Sequence, residues 1–333
     1  MDALPRETMT SIVVTFPPRE GQREVFLNAL GKIARVIFLS DLPEGDQANE
    51  LAQADVLISW SLKRELVRLG YKAVSRARMV QLLSAGADHV PFHELPSSLT
   101  IASNAGAYAE PMAEHVLAMI LAIEKNFIDR YDKLKNGVFD QSNPNRMLRG
   151  STCAILGFGG IGKATARLMR CFGVKIHAIN TTGKTDEPVE FIGTLKDLEH
   201  VLRIAEIIVI ALPLTKATRG LIGTQELAWV KDDAILVNVA RGQIVDEAAL
   251  YEKLKTQPHF TAAIDAWWVE PLIHGEFRTD HPFLELPNVL GSPHNSGIAK
   301  GSFIEATLHA AQNVRRFLNH EPIKGVVRAS DYE

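Results

Sequence analysis

Three residues in the second half of the chain have the types and the setting for acid–base work on a small carboxylated molecule. Arg241 follows the run ILVNVA, Glu270 closes AWWVE ahead of Pro271, and His294 stands in GSPHNSG after the run Asn288-Val289-Leu290. Each run reads as a short buried strand, and Pro293 ends ladder hydrogen bonding just where His294 emerges. An imidazolium in reach of a carbonyl oxygen can donate a proton as negative charge builds there. A carboxylate behind the ring fixes its tautomer and favours its protonated form, which suits Glu270. Arginine offers paired planar donors to a carboxylate and polarises the carbonyl beside it, as lysine does less well. Taken singly, Arg241 reads as a surface ion pair and His294 as one histidine among eleven. Their placement after consecutive strands is what carries the catalytic reading.

A second feature names the partner of that chemistry. CAILGFGGIGKATARLM sets Gly157, Phe158, Gly159, Gly160, Ile161 and Gly162 between an apolar strand and a helix. Glycines at this spacing let the chain turn tightly, let a pyrophosphate approach the backbone and let the helix pack on the strand, while the helix N-terminus faces the phosphates. A nicotinamide held by this loop would lie at the rim that carries Arg241, Glu270 and His294. Hydride delivered to a 2-keto acid would then build charge on the oxygen that His294 protonates.

These residues need two alternating frames to position them. Short β-rich runs at 12–16, 36–39, 55–60, 79–83 and 100–103, with helical segments at 19–30 and 63–74 between them, predict a parallel sheet of flavodoxin-like type. A long apolar helix at 107–125 and a polar, turn-rich loop at 135–149 lead to a second series at 152–156, 174–179, 207–212, 234–239, 262–267 and 288–290. That series suits a dinucleotide-binding fold. An amphipathic helix at 302–318 is expected to return to the first domain.

Composition excludes more than it names. Thirty-six basic against thirty-nine acidic residues leave a net charge of −3, so nothing asks for nucleic acid or an anionic membrane. Cys153 and Cys171 have no metal-ligand spacing and read as reduced structural thiols, and no metal site is expected. The stretch MDALPRETMTSIVV lacks the marks of a leader and no apolar run is long enough to span a bilayer, which predicts a soluble cytoplasmic protein.

At these residues the chain resembles the D-isomer-specific 2-hydroxyacid dehydrogenases, the glyoxylate and hydroxypyruvate reductases among them. LLSAGADHV, NAGAYAEPMAEHVLAMILA, GFGGIG, ALPLTKATRGLI, VNVARGQIVDEAAL, DAWWVEP and SPHNSG follow in that family's order. The resemblance implies His294 as acid/base, Glu270 as its partner and Arg241 as substrate anchor. It places the nicotinamide carboxamide near Asp265, the cofactor along Leu212, Pro213, Val239 and Ala240, and the substrate carboxylate on the amides of Ala85 and Gly86. It also implies a Rossmann domain, residues 104–296, inserted in a flavodoxin-like substrate domain, residues 1–103 and 297–333, with the two closing over a cleft. The helix at 107–125 would build a homodimer.

Specificity is less legible. Trp60 follows a first-domain strand and is either a wall against bulky substrates or part of the core. Where an NAD-preferring fold shows an acid after the second nucleotide-domain strand, this chain has Asn180, followed by Thr181, Thr182, Gly183 and Lys184. Two hydroxyls and a cation in a turn suit a 2′-phosphate, so NAD and NADP are both expected to work, NADP moderately better. The competing readings are a nucleotide-sensing protein like the corepressors that share this fold, and a dehydrogenase of formate or phosphite.

Overall fold

The computed structural model describes residues 9–332. The N-terminal residues 1–8, part of the stretch read as carrying no leader, lie outside them. The chain divides into two compact units, one running to Ala107 and resuming at Lys300, the other spanning Tyr108–Ala299.

The first unit is a sheet of five parallel strands: β1 (Ser11–Val14), β2 (Arg35–Phe38), β3 (Val56–Ser59), β4 (Met79–Leu82) and β5 (Thr100–Ala102), in the order β2-β1-β3-β4-β5. Its central strands are buried along their whole length, as expected of strands covered on both faces. Helices α1 (Gln22–Leu30), α2 (Glu44–Ala52) and α3 (Leu62–Glu65) connect the early strands. The single helix expected at 63–74 is in fact α3 and a separate 3₁₀ turn, Tyr71–Val74, because the chain reverses at Gly70, whose φ of 74° only glycine adopts readily.

The second unit begins with α4 (Ala109–Glu124) and α5 (Phe127–Lys135), the latter not foreseen. Seven parallel strands follow: β6 (Thr152–Leu156), β7 (Lys175–Ile179), β8 (Phe191–Gly193), β9 (Ile207–Ile210), β10 (Ile235–Asn238), β11 (Thr261–Ile264) and β12 (Val289–Gly291), in the order β12-β11-β10-β9-β6-β7-β8. The sequence suggested six, missing β8, an edge strand of three residues. Between the strands lie α6 (Gly160–Cys171), α7 (Leu198–Ile204), α8 (Thr224–Trp229), α9 (Glu247–Thr256) and α10 (Pro271–His274). Strand β11 stops three residues short of the expected 267, because the amides of Asp265 and Ala266 both turn onto the carbonyl of Asn238.

The chain then returns to the first unit as α11 (Ser302–Leu318), whose Ala310, Ala311 and Val314 complete a core with Ile12, Val14, Phe26 and Ile58. Filling that core with side chains of Ile or Phe size contributes about 1.5–3 kcal/mol each. Cys153 is buried in β6, where burial pushes its thiol up out of reach of ionisation, whereas Cys171 is exposed at the end of α6 and so is no core thiol. Among the described residues no helix is long and apolar enough to cross a membrane, and no group of three or more His, Cys, Asp or Glu side chains could hold a metal ion.

Candidate active site

In the second unit the sheet order reverses direction between β6 and β9, the point where ligands bind in open α/β sheets. The glycine loop lies there. A Cβ on Gly157, at φ 102°, would sit 2.5 Å from the backbone of Ala211, and one on Gly162 would sit 2.3 Å from the carbonyl oxygen of Gly157. Both contacts are closer than any side chain permits. Gly159 is the contrast, since a Cβ there meets nothing within 4 Å, and it faces open space at the N-terminus of α6. The amides of Gly157 and Phe158 are already spent on the carbonyl of Ile179, and the Phe158 ring is buried. The donors left for phosphate are those of the first turn of α6, from Gly160 and Ile161 onward.

Strands β10, β11 and β12 are parallel neighbours, so the residues after them share one edge. Arg241 follows β10 half-buried, its Nη1 donating to the carbonyl of Ala240 at 2.8 Å. Gly242 beside it is pressed on the backbone of Trp267, where a Cβ would come within 2.4 Å. Glu270, 8% exposed, accepts the amide of Trp267 on Oε1 at 2.7 Å and faces His294 Nδ1 with Oε2, also at 2.7 Å. An ionised carboxylate only accepts, so the ring proton lies on Nδ1 and Nε2 is left for a ligand. His294 itself has φ 49°, a conformation that costs a non-glycine residue about 1–3 kcal/mol.

Asp265 is what holds that strain. It is fully buried, and its carboxylate accepts from the hydroxyl of Ser292 at 2.5 Å and from the amides of Asn295 at 3.1 Å and Ser296 at 3.2 Å. Its main-chain carbonyl accepts the amide of His294 at 2.9 Å. The sequence reading placed Asp265 near the cofactor but did not see it as the hub of the histidine loop. It also passed over Ser296, whose hydroxyl is buried with no hydrogen-bond partner among the described residues. A buried hydroxyl without a partner costs about 1–3 kcal/mol, and a ligand amide would satisfy it. The glycine cradle and this hydroxyl fit a nicotinamide dinucleotide. The only sequence sign of Ser292 and Ser296 was their place on either side of His294.

The turn after β7 is organised by Asn180, whose Oδ1 accepts the amides of Thr182 and Gly183 at 3.0 and 2.7 Å while its Nδ2 donates to the carbonyl of Lys184. Asn180 thus shapes the turn, and exposed Thr181, Thr182 and Lys184 present its polar groups. Asp186, which looked able to offset Lys184, pairs instead with Lys163 at 2.5 Å, and Glu187 pairs with Arg167 at 2.6 Å. After β9, the Thr218 hydroxyl donates to the carbonyl of Pro213 at 2.6 Å and fastens the loop that begins at Leu212. Val239 and Ala240 bury their side chains in the core at the end of β10.

The first unit holds the remaining candidates. Ala85 and Gly86 follow β4, and the Ser84 hydroxyl donates to the Gly86 carbonyl at 2.8 Å. Trp60 packs edge to face on Phe16 and Phe303, with centroids at 6.2 and 5.8 Å, so its ring braces the core of that unit.

Residues 117–296 match the family described as D-isomer specific 2-hydroxyacid dehydrogenase, NAD binding domain. A glyoxylate reductase of Aeropyrum pernix is 31% identical over 73% of this chain and 73% of its own length. A D-3-phosphoglycerate dehydrogenase of Methanocaldococcus jannaschii is 28% identical over 96% of this chain, which spans only 59% of that longer relative. Among solved structures, a D-isomer specific 2-hydroxyacid dehydrogenase of Xanthobacter autotrophicus in complex with NADPH and MES is 25% identical, with a TM-score of 0.82 over 98% of this chain and all of that one. By sequence and by fold, the chain belongs to the D-isomer-specific 2-hydroxyacid dehydrogenases.

Proposed function

We propose that the protein reduces a small 2-keto acid to the D-2-hydroxy acid, with glyoxylate or hydroxypyruvate as substrate. The observation that carries this reading is the His294–Glu270 pair at 2.7 Å on the strand edge that also carries Arg241. A bound nicotinamide cofactor supplies the hydride. Arg241 holds the substrate carboxylate, and His294 gives the proton on Nε2 to the carbonyl oxygen. Glu270, nearly buried, accepts from His294 Nδ1 and holds the ring in that orientation. The second unit is the nucleotide domain. The first is the substrate domain, and the amides of Ala85 and Gly86 are its own carboxylate donors. Glyoxylate reduction fits the A. pernix relative and hydroxypyruvate reduction fits a 30% identical hydroxypyruvate reductase of Thermotoga maritima.

NADPH is the better cofactor in this reading. Asn180 brings no negative charge to the turn after β7, and Lys184 is not offset by Asp186 or Glu187 because both are paired elsewhere. The protein is a homodimer through its nucleotide domain. On α4, the helix first expected at the contact, Met112, Ala113, Val116, Met119 and Ile120 are buried within its own unit. Among the large apolar side chains exposed in that unit, Phe127, Ile128, Tyr131, Leu134 and Phe139 cluster on and after α5 and would extend the contact face.

The test is a panel of 2-keto acids, from glyoxylate to phenyl analogues, with NADH and NADPH. Turnover of the small acids, higher kcat/KM with NADPH, and a kcat lowered about a hundredfold in His294→Ala with cofactor affinity unchanged are the expected results. A chain that binds cofactor but turns over none of them is a nucleotide sensor instead.

A further inference from the structure

The loop that carries His294 is tied by a polar chain to a different layer of the second unit. Ser292 has one hydroxyl proton, and at 2.5 Å from Asp265 Oδ1 that proton belongs to the carboxylate, which can only accept. The hydroxyl is left with lone pairs. His115 on α4 brings Nε2 to 3.0 Å from the same oxygen, so His115 must be the donor there. The donors therefore all converge on Asp265: His115 Nε2–H donates to Ser292, Ser292 O–H donates to Asp265, and the amides of Asn295 and Ser296 that hold the turn donate to the same carboxylate. His115 Nε2 also lies 3.7 Å from Asp265 Oδ1, with the His115 side chain 25% exposed and that of Asp265 fully buried.

Ser292 is further gripped from the other side, since its carbonyl accepts the indole N–H of Trp267 at 2.8 Å, and the Trp267 amide in turn holds Glu270. Loss of the donor on α4 would leave the Ser292 hydroxyl free to rotate away from Asp265. The loop at 292–296 would lose one of the bonds that keep His294 in its left-handed conformation and its ring against Glu270.

We propose that His115 is a positioning residue for His294, acting through Ser292 and Asp265 from the helix that lies outside the sheet. Its kinetic consequence rests on the proposed role of His294. Its hydrogen-bonding state does not, and the two can be read separately.

The experiment uses the full chain labelled with ¹⁵N-histidine. The His115 ring is expected as the Nε2–H tautomer, with a proton slow to exchange in wild type and lost in Ser292→Ala. In kinetics, His115→Phe is expected to lower kcat about tenfold with KM for the keto acid little changed, as for a misplaced acid. His115→Gln, whose amide can donate to the same hydroxyl, is expected to recover most of that loss. The double variant His115→Phe with Ser292→Ala should be no slower than the slower single variant, since both break one chain. An Nδ1–H tautomer, a Gln variant no better than Phe, or losses that multiply in the double variant would overturn the proposal. A protected Nε2–H that vanishes in Ser292→Ala, in a chain that reduces no keto acid, would uphold the positioning of the loop and sink the catalytic reading of His294.

Discussion

Each unit ties a turn at the carboxyl end of its sheet to a carboxylate, half-buried Glu65 in the first and fully buried Asp265 in the second, and the two serve different ends. In the first unit Glu65 accepts the amides of Trp60 and Ser61 on Oε1 at 3.1 and 3.0 Å, and the hydroxyls of Ser59 and Thr15 on Oε2 at 2.6 and 2.5 Å. In the second, Asp265 accepts from Ser292, Asn295 and Ser296. Glu65 takes three of its four donors from the turn just before it. Asp265 reaches across to the loop of the next strand, and the residue it fixes is His294 at φ 49°. No residue of the Glu65 turn has a positive φ. One carboxylate closes a relaxed local turn, while the other maintains a strained one that carries His294, the acid of the proposed reaction. The same chemical device therefore predicts stability in one unit and catalysis in the other.

Alanine at the two positions breaks the comparison most directly. Asp265→Ala is expected to lower kcat about a thousandfold, because the acid loses its orientation and the carboxamide site loses its frame. Glu65→Ala should lower the unfolding free energy by about 2–3 kcal/mol and change kcat far less. Equal losses of kcat in both variants would erase the distinction.

A smaller effect comes from pH. Burial pushes the Glu65 carboxyl above its ordinary value, against the lowering effect of its hydrogen bonds. The folded state thus holds that proton more tightly than the unfolded chain, so this group's contribution to stability is fully present below the ordinary carboxyl range. It is lost as pH rises through the raised value. The difference in unfolding free energy between wild type and Glu65→Gln, followed by denaturant titration across that window, should therefore shift against wild type as pH rises. A pH-independent difference would mean that the hydrogen bonds offset burial, and a shift in favour of wild type that they outweigh it.

The smallest expected change is in Thr15→Val, which removes one hydroxyl from Glu65 and should cost about 1 kcal/mol with kcat unaltered. It is the stability counterpart of Ser292→Ala, and a loss of activity without a loss of stability would contradict the contrast between the units.

Local pattern determined a large part of this protein. The alternation of apolar runs and helical segments predicted two parallel sheets, the residues 302–318 were read as the helix they form, and GFGGIG was read between its strand and its helix. These are properties of near neighbours along the chain, where a period of 2 or 3.6 or the need for glycine leaves a mark in the residues themselves. The same reading named Arg241, Glu270 and His294, because each follows an apolar strand whose end is visible in the sequence. It did not separate Leu62–Glu65 from Tyr71–Val74, nor find the three-residue β8.

The hub at Asp265, the orphaned hydroxyl of Ser296 and the donor at His115 were decided only by tertiary structure. Ser292 is 27 residues from Asp265 and 177 from His115 in the chain. A hydrogen bond at such separation depends on where two elements are packed, and neither partner's sequence neighbourhood records the other. Asn180 shows the same limit at short range. Its identity raised the question of cofactor choice, but only the folded turn revealed that its carboxamide is engaged with Thr182, Gly183 and Lys184, and that the acids nearby are held by Lys163 and Arg167. Charges that are neighbours in sequence need not face each other in space, because strand and helix ends send them in different directions.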